Sequence, residues 1–211
     1  MAKPGTLPLY QELAEMLIRE IASGRLADGT RLPPERDMAK DHGVAVGTLR
    51  NALSELEKKG LLERIQGSGN YVRARADVPS VYAFFRLELL QGGGLPTAEV
   101  LSVDRLPRPL DWPAFGTSED GHRIRRLRRV GGQIAAVEEI WLDGHYAEAL
   151  EPSDLVQSMY HYYRQRLGLW ITATEDAVLP GTLPDWAPES FGKPPGAVVG
   201  VVERVSLTRE G

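Results

Sequence analysis

Three helices are predicted in succession within the first third of the chain, and this series constrains the fold more than any other feature of the sequence. Apolar residues recur every three or four positions in the first and third of these segments, which is the spacing of one helix face. The first stripe is Tyr10, Leu13, Leu17 and Ile21, and the third is Leu49, Leu53 and Leu56. A short second helix is predicted over Glu35–Asp41, with Pro34 in its first turn, where no backbone N–H is needed.

A glycine-rich turn follows the third helix and joins two short apolar runs. Residues 61–65 and 71–72 are predicted strands, and Gly67 and Gly69 between them tolerate the positive φ angles of a tight hairpin. The order helix, helix, turn, helix, hairpin is that of a winged helix-turn-helix. We therefore predict that residues 1–73 form such a domain.

The sequence pattern changes after residue 73. Residues 74–80 are polar and contain a proline, so we predict a linker there. Beyond it, strand patterns alternate with turn signals. Strands are predicted over residues 98–106, 124–130, 134–142, 170–179 and 197–207, and a helix over residues 158–167. The second domain, residues 81–211, is thus predicted to carry an antiparallel sheet, which makes the fold class of the whole chain α+β.

Composition excludes several classes of protein. Hydrophobic residues make up 42% and charged residues 26% of the 211, as in an average globular protein, so a disordered or fibrous chain is not expected. The absence of cysteine excludes disulfides, thiolate metal sites and cysteine nucleophiles. No apolar run approaches the roughly 18 residues that cross a bilayer, and the N-terminus lacks the apolar core of a signal peptide. We expect a cytoplasmic protein with no membrane partner.

The first domain is not strongly basic, because residues 1–73 hold 11 Lys+Arg against 10 Asp+Glu. Any contact with nucleic acid must therefore depend on a few individually positioned cations. In a helix-turn-helix, the second helix of the pair enters the major groove by its N-terminal end, where donors can reach phosphates and base edges. The candidate DNA-binding residues at that end, on the preceding helix and at the wing tip are Arg36, Thr48, Arg50, Gly67, Ser68 and Gly69. Each also has an ordinary interpretation as solvated surface or a simple turn, and some winged helices bind protein.

The motifs of this domain resemble those of GntR-family transcriptional regulators. They are Pro8-Leu9-Tyr10, Gly29-Thr30-Arg31-Leu32-Pro33-Pro34-Glu35-Arg36, Gly47-Thr48-Leu49-Arg50-Asn51-Ala52-Leu53, Leu56-Glu57-Lys58-Lys59-Gly60-Leu61 and Gln66-Gly67-Ser68-Gly69-Asn70-Tyr71-Val72. The resemblance implies that double-stranded operator DNA is held by Arg36, Thr48, Arg50 and the wing tip.

Three departures from that family pattern predict weaker or differently specific DNA binding. Pro34 stands where the family usually has serine, Ala45 and Val46 where it usually has Ser-Arg, and Ser68 where it often has arginine or histidine. Each lost phosphate contact lowers the slope of log affinity against log salt by about 0.9. We therefore expect a shallower salt dependence than in a typical member.

The second domain resembles the UTRA domain, the effector-sensing module of the HutC-type branch of that family. The motifs, in order, are Gly94-Leu95-Pro96-Thr97-Ala98-Glu99-Val100-Leu101, Arg126-Leu127-Arg128, Val137-Glu138-Glu139-Ile140-Trp141-Leu142, Ser158-Met159-Tyr160 and Ala173-Thr174-Glu175. The resemblance implies a chorismate-lyase-like antiparallel sheet and a pocket for a small, often anionic metabolite.

Arg126 and Arg128 share one face of a predicted strand, because side chains alternate along a strand. Two guanidiniums on one face form a fork for phosphate or carboxylate, although a salt-bridged outer face is the alternative. Glu138 and Glu139 lie on opposite faces of the next strand, so only one of them can join the arginines. The pocket residues that the resemblance implies are Arg126, Arg128, Glu138 or Glu139, Ser158, Tyr160 and Glu175.

This domain also departs from its family pattern. Ile134 replaces a common proline, and Arg86 replaces a small polar residue near the start of the module. The sequence stops at Gly211, where typical members continue through another strand, so we expect either a shortened sensing domain or a lost tail.

Together these features predict a one-component transcriptional repressor that binds a pseudo-palindromic operator as a homodimer under the control of a metabolite. The four histidines show no metal-ligand spacing, and no motif places a nucleophile, so no metal, cofactor or catalytic residue is expected. Two alternatives stay open: a ligand-independent scaffold that binds DNA or a partner, and a lyase-like enzyme fused to a DNA-binding domain.

Overall fold

The chain folds into two compact units in the computed structural model, which describes residues 8–74, 87, 89–90, 96–110, 115–155 and 158–208. Residues 8–74 belong to the first unit and residues 96–208 to the second. Of the predicted linker, residues 75–80 lie outside the described residues, as does Arg86.

The first unit consists of three helices and a hairpin, as predicted. The elements are α1 Leu9–Ala22, α2 Glu35–Asp41, α3 Val46–Lys58, β1 Leu62–Ile65 and β2 Gly69–Val72. The predicted helical stripes face one another in a single core, in which Leu17 of α1 and Leu49, Leu53 and Leu56 of α3 are almost fully buried. The hairpin closes this core by pairing Leu62 with Val72.

Helices α2 and α3 both begin without a side-chain cap. Pro34 occupies the N-cap of α2 with extended backbone (ψ 140°), so the prediction that it lies within the first turn is wrong by one residue. Its carbonyl accepts the N–H groups of Asp37 and Met38, which leaves the ring just outside the helix. Ala45 occupies the N-cap of α3 in the same way, and neither residue offers a side-chain acceptor to the first turn.

The second unit is built from two antiparallel sheets and one helix. Its elements are β3 Pro96–Pro107, β4 Asp120–Val130, β5 Gln133–Asp143, α4 Met159–Arg166, β6 Ala173–Thr182 and β7 Val198–Leu207. Strands β3, β4 and β5 form one sheet in that order, and β6 pairs with β7 in a separate ribbon. The fold class, α+β with an antiparallel sheet, is confirmed.

Helix α4 packs over one face of the three-stranded sheet. Met159, Tyr162 and Tyr163 share a hydrophobic cluster with Ile124 of β4 and Leu142 of β5. Because side chains alternate along β4, Arg126 and Arg128 lie on the same face as Ile124 and are buried with it. None of the helices described is long and apolar enough to span a bilayer.

Candidate functional site

The N-terminal half of α3 and the first turn of α2 lie side by side. Arg50 is well exposed, with 64% of its side-chain surface accessible, and its Nε donates to Oε2 of Glu35 at 2.6 Å. Glu35 is the first residue of α2, and the next residue, Arg36, is exposed. Thr48 is half-buried in the first turn of α3. The three predicted DNA contacts thus stay out of the core, and Arg36 adjoins the carboxylate that holds Arg50.

Glu35 is a component of this surface that the sequence alone does not reveal. Its other carboxylate oxygen lies 3.8 Å from Nη1 of Arg64 in strand β1, and Nε of Arg64 lies 2.9 Å from Glu57 of α3. The carboxylate therefore connects both helices of the helix-turn-helix with the wing. The position of Glu35 in a first helical turn gave no signal for this role, since acidic residues are common there.

The wing tip is a tight turn that glycine permits. Gly67 and Gly69 have φ angles of 76° and 130°, which side-chain-bearing residues rarely adopt. Between them, the hydroxyl of Ser68 lies 2.7 Å from the hydroxyl of Tyr71. The tip itself is uncharged.

The second unit contains two buried arginines that converge on one carboxylate. Arg126 and Arg128 are only 2% and 3% exposed. The carboxylate oxygen Oε1 of Glu138 pairs with Nη2 of Arg126 and lies 3.5 Å from Nε of Arg128. Nη1 of Arg126 also donates to the backbone carbonyl of Leu155, at 2.8 Å. A guanidinium of this kind, fixed and withdrawn from water, suits recognition of an anionic oxygen.

The strand register explains which glutamate joins the arginines. Glu138 stands opposite Arg126 in the β4–β5 pairing, whereas Glu139 stands opposite Arg125 on the other face. There Glu139 accepts from Nε of Arg125 at 2.7 Å, and the Arg125 guanidinium lies 4.8 Å from the centre of the Trp186 ring. Strand β4 therefore has a salt-bridged outer face in addition to the buried cationic inner face.

Tyr163 of α4 is buried within the electrostatic influence of Arg126 and Glu138. Burial raises the pKa of its phenol, the nearby Tyr160 and Glu138 raise it further, and the positive charge of Arg126 opposes them. The phenol therefore stays protonated and can donate a hydrogen bond at any physiological pH. The sequence does not single out Tyr163, because its helical spacing equally indicates a core aromatic.

The other predicted pocket residues occupy different surroundings. Ser158 is buried at the N-cap of α4, where its Oγ accepts from the N–H of His161 at 3.3 Å. The Tyr160 hydroxyl lies 3.1 Å from Oγ of Ser206 in strand β7. Glu175 is exposed on the β6–β7 ribbon, on the face opposite the one that carries Ser206. The described contacts do not bring Glu175 to the arginines.

On the ribbon face that meets Tyr160, the acidic residue is Asp176. It stands opposite Arg204, and the two form a bidentate pair with both distances at 2.6 Å. The hydrogen bond to Asp176 raises the pKa of Arg204, as does that to Tyr160, against the effect of burial. Through this cluster α4 connects the buried arginines with the ribbon. Within the described parts of the chain, no group of three or more His, Asp or Glu side chains is placed to hold a metal ion.

Comparison with protein families matches both units of the chain. Residues 9–72 match the family described as "Bacterial regulatory proteins, gntR family", and residues 91–211 match the UTRA domain. The HTH-type transcriptional regulator SmoD of Agrobacterium fabrum is 60% identical over 98% of this chain and 88% of its own length.

More distant relatives match over most of their length as well. The mannosyl-D-glycerate transport/metabolism system repressor MngR of Escherichia coli K12 is 30% identical over 83% of this chain and 75% of its own. Among solved structures, the possible transcriptional regulator YydK of Bacillus subtilis has a similar fold, with a TM-score of 0.50 and 24% identity over 97% of this chain and 90% of that one.

Proposed function

Because the chain is a GntR-family transcriptional regulator with a UTRA domain, we propose that it binds a specific operator through the surface around α3 and releases it when the second unit takes up an anionic metabolite. MngR, a relative, is named a repressor, and we assign the same sign of regulation to this chain. We assign the second unit a sensing role and not a catalytic one.

In this proposal α3 enters the major groove by its N-terminal end. Thr48 and Arg50 reach base edges or phosphates there, and Arg36 at the start of α2 binds the flanking phosphate backbone. The exposure of both arginines supports this assignment. The turn Gly67–Ser68–Gly69 approaches the neighbouring groove, where a chain without bulky side chains can come close to the sugar-phosphate backbone.

Two copies of the chain would bind together. A homodimer with two-fold symmetry presents two α3 helices to half-sites about one DNA turn apart, so its operator is pseudo-palindromic. Each copy contributes few phosphate contacts, and pairing doubles their number.

The observation that carries the effector assignment is the convergence of two buried guanidiniums on Glu138. Burying charged groups is costly unless each is held by partners of opposite charge. A phosphate, sulfate or carboxylate of a small metabolite provides oxygens that match both forks, while Glu138 and the protonated Tyr163 provide an acceptor and a donor for hydroxyl groups. The best-supported ligand class is therefore an anionic, hydroxylated metabolite such as a sugar acid or sugar phosphate.

Effector control follows if the ligand binds one arrangement of the dimer more tightly than the other. The difference between the ligand's binding free energies for the two arrangements then sets how far operator affinity can change. Helix α4 is suited to respond, since Tyr163 feels the charges of Arg126 and Glu138 and Tyr160 contacts the ribbon. Residues 74–80 would transmit the change to the DNA-binding units.

A ligand panel with matched variants tests the effector assignment. Thermal unfolding of the wild-type chain is measured with phosphorylated hexoses, hexuronates and the corresponding neutral hexoses, and active compounds are then tested for release of DNA. We expect stabilisation by members of the anionic classes and none by the neutral sugars. The double variant Arg126→Ala, Arg128→Ala should lose the stabilisation. Arg125→Ala, on the outer face of the same strand, should keep it.

Two outcomes would contradict the effector assignment. Stabilisation that persists in the Arg126→Ala, Arg128→Ala variant would place the effector elsewhere, and stabilisation by neutral hexoses alone would remove the need for an anion. Turnover of any compound in the panel would instead favour an enzymatic second unit.

A further inference from the structure

Arg31 is built into the wing, although it lies far from the wing turn in sequence. The segment before α2 runs antiparallel to β2: Leu32 donates to the carbonyl of Asn70 at 2.8 Å, and Val72 donates to the carbonyl of Thr30 at 2.9 Å. Arg31 forms a β-bridge with Tyr71 between these bonds. These bonds tie the segment before α2 to the edge of the wing, and the backbone of Arg31 is fixed there.

The Arg31 side chain extends along the wing to its tip. A Cβ atom on Gly69 would lie 3.3 Å from Nε and 3.7 Å from Nη2 of Arg31. The guanidinium therefore packs against Gly69 on the side where any other residue would carry its side chain. The bridge partner Tyr71 lies two residues from Gly69 on the same face of β2, away from the core that Val72 enters. The exposed guanidinium thus lies beside the turn that is proposed to approach DNA.

Unlike three other arginines of this unit, Arg31 has no ion pair within the described residues that would have to break before it binds an anion. Arg50, Arg64 and Arg73 each form an ion pair with a glutamate of the same unit. Arg31 has no ion pair with any residue that the structure describes. The turn itself carries no charge, since Ser68 is neutral and its hydroxyl already contacts Tyr71.

We infer that Arg31 is a phosphate-binding residue of the wing and supplies the positive charge that the tip itself lacks. This inference rests on the proposed DNA binding, and it assigns to the segment before α2 a contact with the DNA backbone. A backbone contact of this kind strengthens binding to any sequence and contributes no base discrimination.

Salt titrations of DNA binding test this role. The probe is the tightest duplex that the wild-type chain selects from a randomised pool, together with an unrelated duplex of equal length. Arg31→Ala should weaken binding to both duplexes and reduce the slope of log affinity against log salt by about 0.9 for each bound copy. Arg31→Lys should keep the slope, because it keeps the charge. Lys40→Ala, which removes an exposed charge from the far end of α2, is the matched control and should keep it too.

The variants separate this inference from the proposed function. An unchanged slope for Arg31→Ala overturns the inference while Arg36→Ala and Arg50→Ala still weaken binding. An affinity loss without a slope change, shared by Arg31→Lys and accompanied by a lower unfolding temperature, assigns Arg31 a structural role and also overturns it. If the wild-type chain selects no duplex, the operator-binding function itself fails, and the inference fails with it.

Discussion

Nε of Arg50 donates to Oε2 of Glu35 at 2.6 Å, so a residue in the N-terminal half of α3 is held by the first residue of α2. The pair is largely open to solvent on the arginine side, and exposed pairs contribute less than about 1 kcal/mol to stability. Its consequence is geometric. The carboxylate of Glu35 limits where the guanidinium of Arg50 can point. It also repels DNA phosphates that approach it.

Glu35→Gln should make DNA binding less selective. Removing the carboxylate removes a repulsion from the phosphate backbone and releases the orientation of Arg50, so affinity for an unrelated duplex should rise. The ratio of affinities for the selected and unrelated duplexes should fall by roughly tenfold, or about 1.4 kcal/mol. Fluorescence anisotropy titrations measure both affinities. Glu55→Gln, which makes the same charge change toward the other end of α3, is the control, and an unchanged ratio for Glu35→Gln contradicts the prediction.

Ser68→Arg should steepen the salt dependence of DNA binding. The substitution places a cation at the wing tip, and a new phosphate contact adds about 0.9 to the slope for each bound copy. Ser68→Ala removes the contact with the Tyr71 hydroxyl without adding charge, and its slope should match that of the wild-type chain. Equal slopes for Ser68→Arg and Ser68→Ala would show that the wing tip does not approach phosphates.

Glu138→Gln should destabilise the second unit, because it removes the carboxylate that two buried guanidiniums share. Breaking a buried ion pair costs about 3–5 kcal/mol, and the partial exposure of Glu138 reduces the expected loss to about 2 kcal/mol. Urea denaturation measures it, with Glu203→Gln on the exposed ribbon as the control. Millimolar inorganic phosphate should restore part of the loss in Glu138→Gln. A variant as stable as wild type would mean that the carboxylate does not compensate the arginines.

Asp143→Asn should cost stability at neutral pH and cost little in acid. The carboxylate of Asp143 accepts from the N–H groups of Thr117, Ser118 and His145 and lies 2.9 Å from Nδ1 of His145. Burial alone would raise the pKa of Asp143, but these donors outweigh it and hold the pKa well below its usual range. Since the folded pKa is depressed, the stabilisation is complete above the unfolded pKa of about 3.9 and is lost as the pH falls through the folded value.

The measurement for Asp143 is the difference in unfolding free energy between Asp143→Asn and wild type across pH. It should be about 2–3 kcal/mol at pH 7 and shrink below about pH 4. A difference that stays constant down to pH 3 would show that the charge of Asp143 does not contribute.

Local patterns predict the main helices and strands and, for some of them, the facing of their side chains. Apolar spacing predicts α1 and α3, and strand alternation alone places Arg126 and Arg128 on a common face of β4. Contacts that depend on the angle between elements are not predictable in this way. Arg50 meets Glu35 only because α2 and α3 cross at one particular place, and nothing in their separation of 15 residues indicates it.

Strand register sets a second limit. Glu175 and Asp176 are adjacent, and a shift of one residue in the β6–β7 pairing would exchange their faces. The sequence of β6 shows no strict alternation of apolar and polar residues, so it does not specify which of the two meets Tyr160. Local patterns do not predict the position of Arg31 on the wing either, because Tyr71, its partner there, is about 40 residues away in sequence.

Helix α3 starts after Ala45 without a side chain to hold the amides of its first turn. Without a cap, those amides are left to hydrogen-bond to water in the protein without DNA. This end of the helix should therefore unfold locally more readily than its leucine-lined middle. Deuterium uptake would then be fastest in the turn that is proposed to meet the operator and would slow once DNA is bound. DNA binding would then order this turn, and the free-energy cost of ordering it would reduce the net free energy of binding.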